Sequence, residues 1–444
     1  MKISKKSVLV VLVFMLMVVS VIDAAGQKEA PKKDVQELVI WCKRETAVNN
    51  WTQEVVKRFM EDNPDVKITL EIFPEVAGYN TKLLTALSSG GSGGPDLFDL
   101  NESTFGAYEP RGMLAPLDLV AAGYSTQSDL EKNWLAGSLN PFKNPNGQIM
   151  GLPYELSTWQ LFLNIDEFKL AGLDPLKDAP KTWDEFYKLA EKLHRKDARG
   201  NTIVKGYQLP FGTAHGWYLI IFEPMLWQQG GSVFDANQMS AIDSDATRRA
   251  FDMWDKLHNR LDTGSTSSLI AGTNPVDYEF ANGLSAMSVA GPWALGSLKD
   301  AAKEHGKDTL FEYTVVPLPQ IDQNNKFVAM NSWGWFVSAH SQKKDLASRF
   351  IVYYSDLSLE GYLSGAPMTP RLDVLESEKA KEMIGYDAFM EGMGYSKARE
   401  GSPYYDETGT RIKAALDEVV LLGADKDAVI KKLHDEINRI QSGK

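Results

Sequence analysis

The segment VQELVIWC, residues 35–42, is an apolar run of strand length, and the stretch from Asn49 to Val66 that follows it puts Trp51, Val55 and Phe59 on one helical face before stopping at Asn63-Pro64. KITLEIF, residues 67–73, then alternates, with Ile68, Leu70 and Ile72 to one side. Strand, helix and strand at this spacing predict a right-handed crossover between parallel neighbours, and so the α/β class. Later segments keep the alternation. A helix around Tyr79–Leu87 runs into the glycine-rich SSGGSGG, and PDLFDL opens the next strand. Thr182 and Glu185 form a capping box ahead of Phe186, Leu189 and Leu193. FVAMNSWGWFVS has strand character, and the terminal helical segment lines up Val429, Leu433, Ile437 and Ile440. A chain of 444 residues has room for two or three domains. It contains no repeat and no low-complexity linker, so two lobes would be joined by more than one strand.

The first 25 residues carry Lys2, Lys5 and Lys6, the apolar run Val8–Val19 and the small pair Ala24-Ala25. This is the layout of a cleaved secretory signal, and the apolar run falls short of the ~20 residues of a membrane-spanning helix. The expectation is export to the periplasm. Cys42 is the only cysteine, so no internal disulfide forms and no cysteine stands at the end of the signal to carry a lipid anchor. A formal charge of −12, made more negative by loss of the signal, argues against nucleic acid as a partner.

Several catalytic motifs are suggested and fail. Gly90–Gly94 fits G-x-S-x-G, but a nucleophile elbow needs a strand before its serine and a helix after it, whereas here the predicted order is reversed. Asp262–Ser265 resembles half an aspartic-protease site with no second copy, and reads better as a helix exit at Gly264. The six histidines are scattered without metal-ligand spacing, and no phosphate-cradling loop appears. No metal and no cofactor is expected. Glu155, Glu223 and Asp277 are conceivable glycosidase acids, but nothing in the sequence sets their separation.

What stands out is where the aromatic residues fall. Trp293 follows Gly-Pro at a strand end; Trp333 and Trp335 flank Gly334 beside Asn331 and Ser332; Trp217 follows His215-Gly216; Tyr154 opens PYELSTW, which closes on Trp159. Sugar rings present C–H faces and hydroxyl edges, so a site for them needs flat aromatic platforms and fixed polar groups. Most of these aromatics are core. Trp293 is read as site, because ligands of α/β proteins bind at the carboxyl ends of strands. Trp333 and Trp335 point to one side, and separating their roles would require the strand to end between them.

The stretches GGPDLFDL, GLPYELSTWQLFLNIDEF, PKTWDEF, WQQGG, FANGLSAMSVAGPWALGSL, VVPLP and GAPMTPR, in this order, resemble the family 1 extracellular solute-binding proteins of ABC sugar importers, which include maltose-binding protein. The resemblance implies the two-lobed type II fold, each lobe a mostly parallel sheet flanked by helices, joined by crossing hinge strands near Tyr154–Gln160 and Val315–Pro319. Lobe I would hold 26–156 and 315–340, and lobe II 157–314 and 341–444. It further implies a monomer that closes on a carbohydrate and delivers it to membrane permease subunits, without catalysis. By position, Trp293 matches the family's stacking tryptophan and Glu45 an acidic sugar ligand. Ser103, Thr104 and Ser157 fall where maltose-binding protein has charged groups, which disfavours maltose itself. Trp217, Asn331, Trp333, Arg371 and Tyr154 complete the candidate set. A polyamine binder of the same fold and a secreted glycosidase are the alternatives; the first would need several carboxylates converging on Trp293, the second two carboxylates at ~5–10 Å with one held protonated.

Overall fold

The computed structural model describes residues 35–74, 76–207, 214–259, 279–400 and 402–443. The signal segment, the Asp262–Ser265 motif and Asp277 lie outside the described residues. In chain order the strands are β1 (Gln36–Lys43), β2 (Val66–Phe73), β3 (Leu97–Asn101), β4 (Leu114–Ala115), β5 (Gly151–Thr158), β6 (Gln160–Asn164), β7 (Arg195–Lys196), β8 (Thr202–Val204), β9 (Met287–Ala290), β10 (Tyr313–Val316), β11 (Val328–Ser338) and β12 (Ser396–Ala398).

The opening strand–helix–strand unit forms as its periodicity predicts. β1 runs parallel to β2 and to β3, and the Thr46–Asp62 helix buries Trp51, Val55 and Phe59 against them. The first sheet has the order β12-β11-β3-β1-β2, with β5 and β4 also on β11. One of its faces carries the core of Leu38, Ile40, Val55, Tyr154, Trp335 and Phe350; the other carries Trp41, Tyr79, Phe98 and Phe336. The second sheet is β10-β6-β9, likewise covered on both sides. Here the expectation of mostly parallel pairing needs amending: β6 is antiparallel to both neighbours. It enters directly from β5 of the other lobe, so it arrives in the opposite sense to strands reached through helices. β11 runs against β3 and β5 in the first sheet for the same reason.

The chain passes between the lobes at Trp159, the single residue separating β5 from β6, and again between β10 and β11. A third passage links the Lys344–Asp356 helix to the Tyr405–Leu422 helix in the second lobe. The sequence reading placed everything after 340 in lobe II. Lys344–Asp356 instead packs Leu346, Phe350 and Ile351 into the first lobe's core, with the Phe350 ring edge-on to Phe59 at 5.3 Å. No helix among the described residues is long and apolar enough to cross a membrane.

Candidate functional site

On the second lobe, β9 is buried throughout and ends at Gly291-Pro292. Proline has no N–H to extend a ladder and fixes its own φ. The chain therefore turns at the carboxyl end of the strand, and Trp293 caps the Ala294–Glu304 helix while remaining partly exposed. Its indole meets Trp159 at 5.6 Å and Trp217 at 5.8 Å between centroids, and those two meet at 5.4 Å, all edge-on. Three indoles packed edge-on, with interplanar angles of 87°, 84° and 65°, restrict one another's rotamers, so the corner is a rigid apolar surface. Trp159 is the interlobe crossing residue, its backbone N–H donating to the Ala329 carbonyl at 3.2 Å, and Trp217 lies near the start of the His215–Gln228 helix.

On the first lobe the decisive feature is a β-bulge. β5 pairs with β11 through Trp333↔Glu155 and then Gly334↔Pro153, which leaves Tyr154 as the extra residue. A bulge switches which face the following residues occupy. Tyr154 stays in the core, while Glu155 and Ser157 come opposite Trp333 and Asn331, and directly opposed side chains share a face. Asn101, at the carboxyl end of β3, is opposite Trp333 on the other side and donates from Nδ2 to Asn331 Oδ1 at 2.9 Å. The result is a polar tile of Glu155, Ser157, Asn331 and Asn101 around Trp333. The two halves meet at Gly291: a Cβ there would lie 2.8 Å from Trp293 Nε1 and 3.0 Å from Ser157 Cβ, so only glycine lets this corner close over the tile.

Two buried cations organise the tile. Lys43 Nζ pairs with Glu45 and sits 4.4 Å above the Trp333 ring centroid. Burial lowers its affinity for a proton, but Glu45, Glu155 and Asp99 outweigh that and keep it charged. Arg399, just beyond β12, donates to Glu102 Oε1 from Nε at 3.2 Å and from Nη2 at 3.1 Å, to Asn331 Oδ1 at 3.2 Å, to Tyr405 Oη at 3.3 Å, and to Asn101 Oδ1. Glu102 also accepts the Ser332 N–H at 2.8 Å. Residues distant in sequence are thus locked around one guanidinium. Burial pushes Asp99 up to about 6 against the pull of Lys43, and it pushes Glu155 and Glu223 up to about 8. Glu45 matches Lys43 and Glu102 matches Arg399, while Glu155 and Glu223 hold their protons at neutral pH, so the charge left over is that of Asp99, which lies beside Lys43 and accepts the Tyr154 hydroxyl.

The structure brings Trp293, Trp217, Ser157, Asn331, Trp333 and Glu45 toward one place; the Glu45 side chain is 26% exposed. Asn331, Ser332 and Trp333 all lie within the strand Val328–Ser338, in keeping with the strand character of this segment. What separates the two tryptophans is position along β11: Trp335 is covered by Tyr154 and Tyr354, while Trp333 lies where the apolar cover stops. Ser103 and Thr104 are buried in a short 3-10 turn, their hydroxyls donating to Asn101 Oδ1 at 2.6 Å and the Asn101 carbonyl at 2.9 Å, so they support Asn101. Two candidates are engaged away from the tile. Tyr154 is core, its hydroxyl donating to Asp99 at 2.9 Å. Arg371 is held by Asp356 at 2.8 Å, Asp373 at 3.0 Å and Ser355 at 3.3 Å, and braces the end of the first lobe. Sequence reasoning missed Lys43, Asn101, Glu102, Arg399 and the place of Trp159 in the indole corner. For Arg399 no local signal exists, since its charge partner Glu102 and its partner Asn101 lie almost three hundred residues away in sequence. Trp159 was detectable as a large aromatic at an interlobe crossing. Gly90–Gly94 follows a helix and precedes β3, as expected of a turn rather than a nucleophile elbow.

Glu223, in the middle of the His215–Gln228 helix, is buried and its Oε2 finds no hydrogen-bond partner among the described residues. Burial, reinforced by Glu400, raises its carboxyl against Arg399 and Lys397. A carboxyl raised in the folded state stabilises fully below its unfolded value near 4.5, and that contribution is lost as pH rises through about 8. Glu223→Gln is therefore expected to flatten the decline of urea stability between pH 5 and 8.5 by about 2–4 kcal/mol. Parallel wild-type and variant curves would show that Glu223 does not titrate in this window.

Residues 44–356 match the family described as Bacterial extracellular solute-binding protein. The arabinooligosaccharide-binding protein of Bacillus subtilis is 24% identical over 399 residues, covering 88% of this chain and 86% of its own. The maltotriose-binding protein of Pyrococcus abyssi is 24% identical over 427 residues, covering 92% and 83%. Among solved structures, an ABC transporter solute-binding protein from Thermotoga lettingae bound with α-D-tagatose superposes with a TM-score of 0.77 at 22% identity, covering 91% of this chain and all of that one, 100%. A Listeria monocytogenes ABC substrate-binding protein in complex with cycloalternan gives 0.74 at 23% identity, covering 92% and 100%. These likenesses establish the two-lobed α/β fold.

Proposed function

The chain belongs to the bacterial extracellular solute-binding protein family, and from that premise we propose that it is the sugar-binding component of an ABC importer, which takes a mono- or oligosaccharide between its lobes. The observation that carries this reading is the pairing of a rigid indole corner on one lobe with a near-neutral polar tile on the other, meeting at Gly291. A sugar would lay a C–H face on Trp293, with Trp217 beside it, and turn its hydroxyls to Asn331, Ser157 and Glu45, while Trp333 offers the face not covered by Lys43. Ser103 and Thr104 would act by fixing Asn101. Closure of the lobes is favoured only by contacts the sugar makes in the closed form. The relatives named for arabinooligosaccharide and maltotriose binding support an oligosaccharide. The exported, periplasmic, monomeric protein would then dock on inner-membrane permease subunits.

A polyamine is disfavoured because Lys43 and Arg399 already occupy the carboxylates that would attract it. A glycosidase would have to use Glu155 as acid and Glu45 as base or nucleophile; the ion pair with Lys43 makes Glu45 less basic, and a chromogenic glycoside tests this reading directly. The test is a thermal-shift screen with tagatose, maltotriose, mannotriose, arabinotriose and spermidine. A sugar at 100 times its Kd should add about 2.7 kcal/mol of stability. Stabilisation by spermidine alone, or release of nitrophenol from a chromogenic glycoside, would sink the reading.

A further inference from the structure

The sequence resemblance draws attention to Ser157, but the bulge in β5 presents a second group beside it that the resemblance does not assign. Glu155 is directly opposite Trp333, on the face shared with Ser157 and Asn331, and its Oε1 accepts the Ser157 hydroxyl at 3.0 Å. Its backbone carbonyl accepts the Ser332 hydroxyl at 2.7 Å, which fixes the strand at this point. Without the extra residue at Tyr154, alternation would turn Glu155 to the opposite face of the sheet. A buried carboxyl is costly to place unless it is paired or keeps its proton, and every other member of the tile is neutral or already matched.

Resting on the sugar-binding reading above, we propose that Glu155 is a specificity-determining ligand contact: a neutral carboxylic acid that donates its proton to one sugar oxygen and accepts from a neighbouring hydroxyl. A group with donor and acceptor side by side suits vicinal hydroxyls of an uncharged sugar. It would also reject a uronate, whose carboxylate would meet Glu155 and Glu45 across one ammonium.

Burial first, and then the Glu45 carboxylate, raises Glu155 to about 8, with Lys43 and the Ser157 hydroxyl opposing and Glu102 adding to the rise. These, with Asp99 beside Lys43 and the Tyr154 hydroxyl on Asp99, are the ionisable groups gathered around it. The donated proton is therefore present at pH 6–7 and lost above about 8.

The experiment is calorimetric titration of the full mature chain with maltotriose, mannotriose, arabinotriose and tagatose at pH 6, 7 and 9, using wild type, Glu155→Gln and Glu155→Ala. Whichever of these sugars binds, its wild-type Kd should rise about tenfold at one pH unit above the titration point. Glu155→Gln, which keeps a donor and an acceptor but cannot ionise, should bind a few-fold more weakly at pH 6 and show no such rise, so that it overtakes wild type at pH 9. Glu155→Ala should bind at least about thirtyfold more weakly at pH 6, as expected for loss of two hydrogen bonds. Because Gln is isosteric, its result stands even where Ala fails to fold. Wild-type and Gln proteins with the same Kd and the same pH profile would overturn the inference while leaving the sugar-binding reading intact. A wild type that binds none of the four sugars would overturn both.

Discussion

Trp293→Ala is expected to abolish sugar-induced thermal stabilisation, with affinity falling by about 2–4 kcal/mol, the range of a buried aromatic anchor. The indole is partly exposed and lies, with Ser157 of the opposite lobe, around Gly291. It also packs on Trp159 and Trp217, so the unliganded protein should lose stability, by about 1–2 kcal/mol for a partly buried aromatic removed from an edge-on cluster. The two effects separate in one experiment: melting with and without maltotriose, mannotriose, arabinotriose or tagatose. Trp293→Phe should keep most of the unliganded stability and recover part of the shift. An alanine variant that still shifts with sugar removes Trp293 from the site. A loss of stability far above this range would make it core.

The second large effect concerns Arg399→Met. The guanidinium is buried and makes five hydrogen-bonding contacts to Glu102, Asn101, Asn331 and Tyr405. Removing it strands the buried Glu102 carboxyl, whose proton affinity is already raised by burial in spite of Arg399. Breaking a buried pair from one side typically costs about 3–5 kcal/mol. Urea unfolding at pH 7 should show a loss of that order. A group whose folded pKa is raised stabilises below its unfolded value and loses that contribution as pH rises. The variant should therefore recover stability on acidification more steeply than wild type. Adding Glu102→Gln should restore much of the loss, and if the double variant is no better than the single, the cost lies in packing rather than in an unmatched charge.

Class and elements were legible because they depend on near neighbours. The crossover unit, the Thr182–Glu185 capping box, the stripe from Val429 to Ile440 and the Gly-Pro strand end at Trp293 are each set by residues within a few turns of one another. Such local preferences act whatever the rest of the chain does. Their order along the sequence also carried the family resemblance, and with it the two lobes and the crossing at Trp159.

Which residues gather at the candidate site depends on tertiary structure. Tyr154 and Arg371 were named from motif position, yet one is drawn into the core by Asp99 and the other is held by Asp356 and Asp373. Lys43, Glu102 and Arg399 gave no signal, because a charge in a sequence is a solvated charge until folding places its partner. A single unpaired residue at Tyr154 reverses the facing of Glu155 and Ser157, and such a bulge exists only once β5 has β11 to pair with. Sequence alone determined which segments become strands and helices and the family they compose; which polar groups come together around Trp333, and with what charge, was set by pairing register and burial.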